Sequence, residues 1–172
     1  MHFKKLVGFT LIEILVVLSI MGIMLGFLVV RYSKDERQNL QLEGHRLALL
    51  MTHASNTAHT TGGPIAWQAN RGGYQFLQYS ALVNQWQKMG GTYMQSDPTL
   101  RERQLPEDIQ LSEMIIAGSK LTIKKHEYGM IVFSPDGIDE AFELTLQSPH
   151  SKVKVKGDML GIVEDFPAID LQ

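Results

Sequence analysis

A single carboxylate stands in a long apolar stretch near the start of the chain. Glu13 is the only charged residue among the 22 residues from Phe9 to Val30. A carboxylate at the centre of a membrane-spanning helix costs on the order of 2.5–3.5 kcal/mol, and less near the interface. Such a residue is a candidate for a functional role together with a cationic partner, and the alternative is a glutamate that snorkels or is protonated near the headgroups.

The stretch that carries Glu13 has the length of a membrane span. A helix of 22 residues is roughly 33 Å long, and the hydrocarbon core of a bilayer is roughly 30 Å thick. The stretch is too long for the apolar region of a secretory signal peptide, and no small-residue cleavage site follows it. Because Lys4 and Lys5 precede it, the positive-inside rule places Met1 in the cytoplasm and the rest of the chain across the membrane.

The residues around Glu13 resemble a known processing site. Residues 4–13 read KKLVGFTLIE, which is similar to the site at which prepilins of the type IV pilin and type II secretion pseudopilin superfamily are cut. The resemblance implies that residues 1–8 are a leader and that a prepilin peptidase cleaves after Gly8. It also implies that the new amine of Phe9 is methylated, and that Glu13 meets the N-terminal amine of a neighbouring subunit.

The chemistry of these residues agrees with that role. Cleavage after Gly8 creates an α-amine whose reference pKa of about 7.7–8.0 makes it largely cationic, and Glu13 is the one anion within the span. Removing one partner of a buried charge pair costs roughly 3–5 kcal/mol, so this pair could set the register between subunits. Gly8 has no side chain, which lets a peptidase approach the backbone closely.

The helix is predicted to continue beyond the membrane. No proline occurs before Pro64, and the Thr60–Pro64 segment is a strong stop signal. We therefore predict one helix from Phe9 to Thr61, with a membrane or assembly segment at residues 9–30 and an amphipathic part at residues 31–62. Its apolar stripe consists of Leu40, Leu47, Leu50 or Met51, Ala54 and Ala58. Gly22 and Gly26 form a small-xxx-small pattern suited to close helix packing, and the alternative is that they are glycines of the kind any membrane helix tolerates.

Residues 63–172 change to the two-residue periodicity of β-strands separated by turns. The fold class is therefore α+β, with one long N-terminal helix packed on an antiparallel β-sheet domain. Residues 90–107 are predicted to be an exposed or mobile loop. The predicted strands are residues 65–68, 74–79, 86–89, 109–111, 121–125, 130–133, 142–147, 152–156 and 160–163.

A narrower resemblance extends into this second half. Residues 74–77 followed by Trp86, then residues 131–137, then residues 142–146, are similar to the minor pseudopilin H family of type II secretion and its pilus relatives. The last two segments are predicted to form a hairpin. The chain has no cysteine, so the disulfide-bearing loop of many type IV pilins cannot form, which favours a pseudopilin.

The sequence contains little that indicates an enzyme or a metal site. Nucleophile, phosphate-binding and dinucleotide-binding motifs do not occur, and the six histidines have no metal-ligand spacing. The acidic turn at Asp136, Asp139, Glu140 and Glu143 could hold Ca²⁺ weakly, although its spacing is not that of an EF-hand and a solvated hairpin end explains it. We predict neither an enzyme nor a resident cofactor or metal.

Three lysines would share one face of a strand. Lys152, Lys154 and Lys156 alternate with valines, and the resemblance implies a rival function here, because pilus relatives that bind DNA use basic C-terminal patches. The net charge of −2 and the acidic residues that follow argue against nucleic acid as a partner. A solvated edge strand that uses lysine to prevent aggregation explains the same pattern.

The sequence thus predicts a minor pseudopilin of type II secretion that acts by assembly at or near the pseudopilus tip. Its partners would be the prepilin peptidase, the other minor pseudopilins, the major pseudopilin and the inner membrane, with the β domain in the periplasm. One alternative is a minor type IV pilin that acts in pilus assembly or DNA uptake. The other is a signal-anchored periplasmic enzyme or binding protein.

Overall fold

A long helix opens the described part of the chain. The computed structural model describes residues 10–90, 97–121, 123 and 128–171, and of residues 26–35 the backbone only. Helix α1 spans Leu11–Thr61. It ends where Gly62 takes a φ of +69° and its N–H donates to the carbonyl of Ala58 at 3.0 Å, a left-handed C-terminal cap. The predicted end of the helix is confirmed, and the predicted start at Phe9 lies outside the described residues.

The chain divides into two compact units, and the boundary lies between Asp35 and Glu36. The second unit contains all of the strands and the residues of α1 from Glu36 onwards. Within it the helix approaches the strands closely, since a Cβ at Gly44 would lie only 2.9 Å from a methyl carbon of Val153. The predicted apolar stripe is confirmed as part of the core, because its members are buried: Leu40, Leu47, Leu50, Met51, Ala54 and Ala58.

The strands form two antiparallel sheets. The first has the order β3-β2-β1-β7 with β4 beside β2, and the second has the order β10-β9-β8-β5-β6 with β11 beside β9. The strand bounds are β1 Ile65–Asn70, β2 Gly73–Ser80, β3 Gln85–Lys88, β4 Arg103–Gln104, β5 Gln110–Ile116, β6 Ser119–Leu121, β7 Gly129–Phe133, β8 Phe142–Gln147, β9 Ser151–Gly157, β10 Val163–Asp165 and β11 Ile169–Asp170.

The predicted hairpin between the segments 131–137 and 142–146 is wrong. Strand β7 pairs with β1 in the first sheet, whereas β8 pairs with β5 and β9 in the second. The chain between them, residues 134–141, therefore passes from one sheet to the other. Its polar turn residues mark a change of direction, but they do not specify which strand the chain joins next.

Two further predictions about strands and loops need correction. Residues 160–163 are mostly a turn, and β10 begins only at Val163. Residues 90–107 are not simply an exposed loop: residues 91–96 lie outside the described ranges, but Leu100 is fully buried in a short 3₁₀ turn at Pro98–Leu100. Burial of one leucine and the pairing of β4 with β2 attach this segment to the domain.

Candidate assembly site

Thr10 and Glu13 define the start of the helix. The backbone N–H of Glu13 donates to both the carbonyl oxygen and Oγ1 of Thr10, at 3.1 and 3.3 Å. This Thr-x-x-Glu spacing is that of a capping box. The negative charge of Glu13 also lies in the first helical turn, where the helix dipole favours an anion. The capping role of Thr10 was missed from the sequence, although the same spacing identifies it.

Glu13 lies on an exposed and otherwise apolar helix surface. It is exposed itself, and the large apolar side chains between Leu11 and Leu25 are 41–84% exposed. They occur on all sides of the helix, so this segment requires an apolar environment or apolar partners around its whole circumference. Within the described ranges, no helix is both long and apolar enough to cross a membrane.

The other predicted processing residues are not described. Lys4, Lys5, Gly8 and Phe9 lie outside the described residues, so cleavage and methylation stay predictions. Gly22 lies on an open part of the helix surface, because a Cβ added there would meet no atom within 4 Å. That surface leaves room for close approach of another helix.

Glu36 anchors α1 to the turn between β8 and β9. Its side chain is only 4% exposed, and its two carboxylate oxygens accept from the backbone N–H of His150 and face Nδ1 of the same residue, each at 3.0 Å. Burial by itself would raise the pKa of Glu36. Hydrogen bonds from Ser148 and His150 outweigh that cost and hold the pKa below its ordinary value.

The last strand region is bound to the helix by two further side chains. Arg37 donates from Nη2 to the carbonyl of Ala168 at 2.5 Å. Gln41 accepts from the N–H of Ala168 at 2.6 Å and donates to Asp165 at 2.9 Å. These contacts were missed from the sequence, because the partners lie more than 120 residues apart in the chain.

Two histidines of the helix also face carboxylates. His45 lies 2.9 Å from Asp165, and His53 contacts Asp97. Burial opposes ionisation of Asp97, but its hydrogen bonds to His53 and Thr99 hold its pKa below the ordinary value. These histidines thus bind carboxylates, and the described residues contain no group of three acidic or histidine side chains that could hold a metal ion.

The acidic residues predicted as one turn cluster have separate roles. Asp139 is buried and accepts from the N–H of Ser134 at 2.7 Å and from the hydroxyl of Ser55 at 3.2 Å. Glu143 lies on β8 and contacts Lys154 and Lys156 of β9. Because Asp139 supports a loop and Glu143 forms ion pairs, the structure divides the cluster between two tasks.

The three lysines lie on one face of β9, as predicted, but β9 is not an edge strand. It lies between β8 on one side and β10 and β11 on the other. Lys154 and Lys156 both pair with Glu143, and these contacts lower the pKa of Glu143. With one carboxylate shared by two of the three lysines, the face is less basic than the sequence alone indicates.

The comparisons with known proteins agree with this arrangement. A family model described as Type II transport protein GspH matches residues 43–161, which is more than half of the chain. No curated protein sequence matches. A structure of the minor pseudopilin EpsH from the type 2 secretion system of Vibrio cholerae is 16% identical, with a TM-score of 0.57 over 75% of this chain and 97% of EpsH.

A second structure of the minor pseudopilin EpsH from Vibrio cholerae is 15% identical, with a TM-score of 0.60 over 79% of this chain and 99% of EpsH. At this identity the likeness shows a shared fold, one helix with antiparallel sheets. The family match covers most of that same helix-and-sheet unit. The chain therefore belongs to the GspH family of type II transport proteins.

Proposed function

We propose that this chain is a minor pseudopilin that acts by assembling into the type II secretion pseudopilus, at or near its tip. A prepilin peptidase would remove residues 1–8, Phe9 would become the methylated N-terminus, and the helix would hold the chain in the inner membrane before assembly. The β domain would then lie in the periplasm and contact the other minor pseudopilins and the major pseudopilin.

The observation that carries this proposal is the position of Glu13. Its carboxylate is exposed in the first helical turn, among apolar side chains that are also exposed. An anion in such surroundings is stabilised by a nearby cation, and the amine of Phe9 in a neighbouring subunit would be one. The contact would form only when the two helices have the correct axial register.

The DNA-uptake alternative lacks comparable support. Its one feature was the row of three lysines, and two of these are paired with Glu143. Phosphate binding would first have to break those pairs. The family match to a type II transport protein also favours secretion over uptake.

Replacing Glu13 by leucine tests the proposed docking. We expect Glu13→Leu to insert and be processed normally, because leucine suits the membrane better than glutamate, but to abolish secretion. Glu107→Leu is the matched control, since it removes an exposed carboxylate outside the helix and should leave secretion unchanged. Normal secretion by the Glu13→Leu variant would refute the docking role.

A further inference from the structure

Two neighbouring loops of the second unit expose a cluster of large apolar side chains. This apolar loop patch consists of Ile138, Met159, Leu160 and Ile162, which are 55–72% exposed. The loops are joined where the N–H of Asp139 donates to the carbonyl of Met159 at 3.0 Å. Single exposed apolar residues are common on protein surfaces, but several on two loops that are hydrogen-bonded to each other are typical of an interaction site.

The loop that carries most of this patch is held in one conformation. Oδ1 of Asp158 accepts from the N–H groups of Leu160 and Ile162, both at 2.9 Å. Gly161 has a φ of +76°, and a Cβ there would collide with the hydroxyl of Ser55. A partner would therefore meet a preformed surface, and little ordering entropy would oppose binding.

A groove continues from the patch across one end of the second sheet. Ile162 belongs to both features, and the groove is also lined by Ile115, Phe142 and Phe166. Its volume of about 520 Å³ lies in the range of sites that bind small molecules. Its apolar lining suits a large aliphatic or aromatic side chain.

The charged residues that line the groove are mainly acidic. They are Glu143, Asp158 and Glu164 against the single cation Lys156, which gives a formal charge of −2 (1 − 3). Lys156 already contacts Glu143 at 2.7 Å. Lys154 contacts Glu143 as well, so with Lys154 included the local formal charge is −1 (2 − 3). The acidity of the groove therefore rests on Asp158 and Glu164, which lie beside the apolar surface and would attract a cation.

We propose that the apolar loop patch and the groove bind an exposed segment of a partner protein that carries a large apolar side chain next to lysine or arginine. The apolar side chain would enter the groove, and the cation would face Asp158 and Glu164. An anionic lipid headgroup would be repelled by the same carboxylates. The surface would bind such a segment whether or not the chain joins a pseudopilus.

Fluorescent peptides test this proposal on the full chain in detergent micelles. The first peptide has a Leu-Phe core flanked by lysines, the second has the same core flanked by glutamates, and the third has a serine core flanked by lysines. We expect the first to bind, and the other two to have a Kd at least about tenfold higher. Fluorescence anisotropy, corrected with empty micelles, reports the binding.

Variants assign the binding to this surface. We expect Ile162→Asp to abolish binding of the first peptide, and Glu164→Lys to weaken it about tenfold while strengthening binding of the glutamate-flanked peptide. Leu82→Asp is the matched control, because it adds the same charge at an apolar residue that is 98% exposed in the β2–β3 turn. Both positions are exposed, and an unchanged unfolding temperature would confirm that each variant folds.

Three results would overturn the proposal. Equal binding of the lysine-flanked and glutamate-flanked peptides would show that only apolar adhesion occurs, as with a lipid chain. If Glu164→Lys leaves peptide binding unchanged, the acidic residues are not part of the binding site. If no peptide binds but the chain associates with itself, and Ile162→Asp abolishes this self-association, the occupant is a second copy of the chain.

Discussion

The buried carboxylate of Glu36 offers the clearest test of how the helix is attached to the β-strands. We expect Glu36→Leu to lower the free energy of unfolding by about 1.5–4 kcal/mol. Its bond from the backbone N–H of His150 is charge-assisted and worth about 1.5–3 kcal/mol. The contact with the imidazole adds about 0–1 kcal/mol, because the side chain of His150 is 70% exposed.

Urea unfolding of the full chain, followed by the fluorescence of the buried Trp67, measures this change. The matched control is Glu102→Leu, which removes an exposed carboxylate that pairs with Lys88 at the surface and should change the free energy of unfolding by less than about 1 kcal/mol. If Glu36→Leu costs no more than Glu102→Leu, the helix is not anchored through Glu36.

The pH dependence of the same carboxylate gives an independent test of its pairing. The pKa of Glu36 is lower in the folded protein than its ordinary value, so folding favours the ionised form. This stabilisation is complete above the unfolded pKa of about 4.3 and is lost as the pH falls through the lower folded pKa. Glu36→Gln should therefore lose less stability on acidification than the wild type, and parallel stability curves would contradict the pairing.

Two more substitutions test the packing around the sheets. Gly157→Ala should lower the free energy of unfolding by about 1–3 kcal/mol, because a Cβ at this position overlaps the ring of Phe142. Gly72→Ala is the control, since the space around Gly72 is open and the substitution should not have this overlap penalty. Equal losses of the two variants in urea unfolding would contradict the overlap. Asp139→Ala should lower the midpoint of thermal unfolding more than Asp136→Ala, because Asp139 is buried and has two hydrogen-bond partners. The reverse order in a calorimetric scan would contradict the supporting role of Asp139 in its loop.

The helix could be predicted well because its signals are local. The three- to four-residue spacing from Leu40 to Ala58 determines which face is buried, and Gly62 with Pro64 determines the end. Each of these signals depends only on neighbouring residues. The prediction of the helix therefore does not depend on how the rest of the chain folds.

The sheets could be predicted only in part, because strand pairing depends on distant contacts. Alternation identifies β8 and β9 as strands, but it does not reveal that β7 and β8 belong to different sheets. The two-residue strands β4 and β11 are too short to show any alternation. Their positions depend on the partner strands, which sequence spacing does not identify.

Some residues of the candidate site also have a local sequence signal, and others do not. Glu13 stands out because a charge in an apolar stretch is a local anomaly, and Thr10 could have been found from its spacing to Glu13. Arg37 and Gln41 give no such signal, because ordinary polar residues on a helix surface acquire their role only when residues near Ala168 fold against them.

Mass spectrometry of the N-terminus tests the central claim most directly, because docking through Glu13 requires a free amine at Phe9. The chain would be purified from the membranes of cells that carry the secretion system. We expect a chain that begins at methylated Phe9 and lacks residues 1–8. A chain that still begins at Met1, purified from cells whose prepilin peptidase is active on other substrates, would contradict assembly through Glu13.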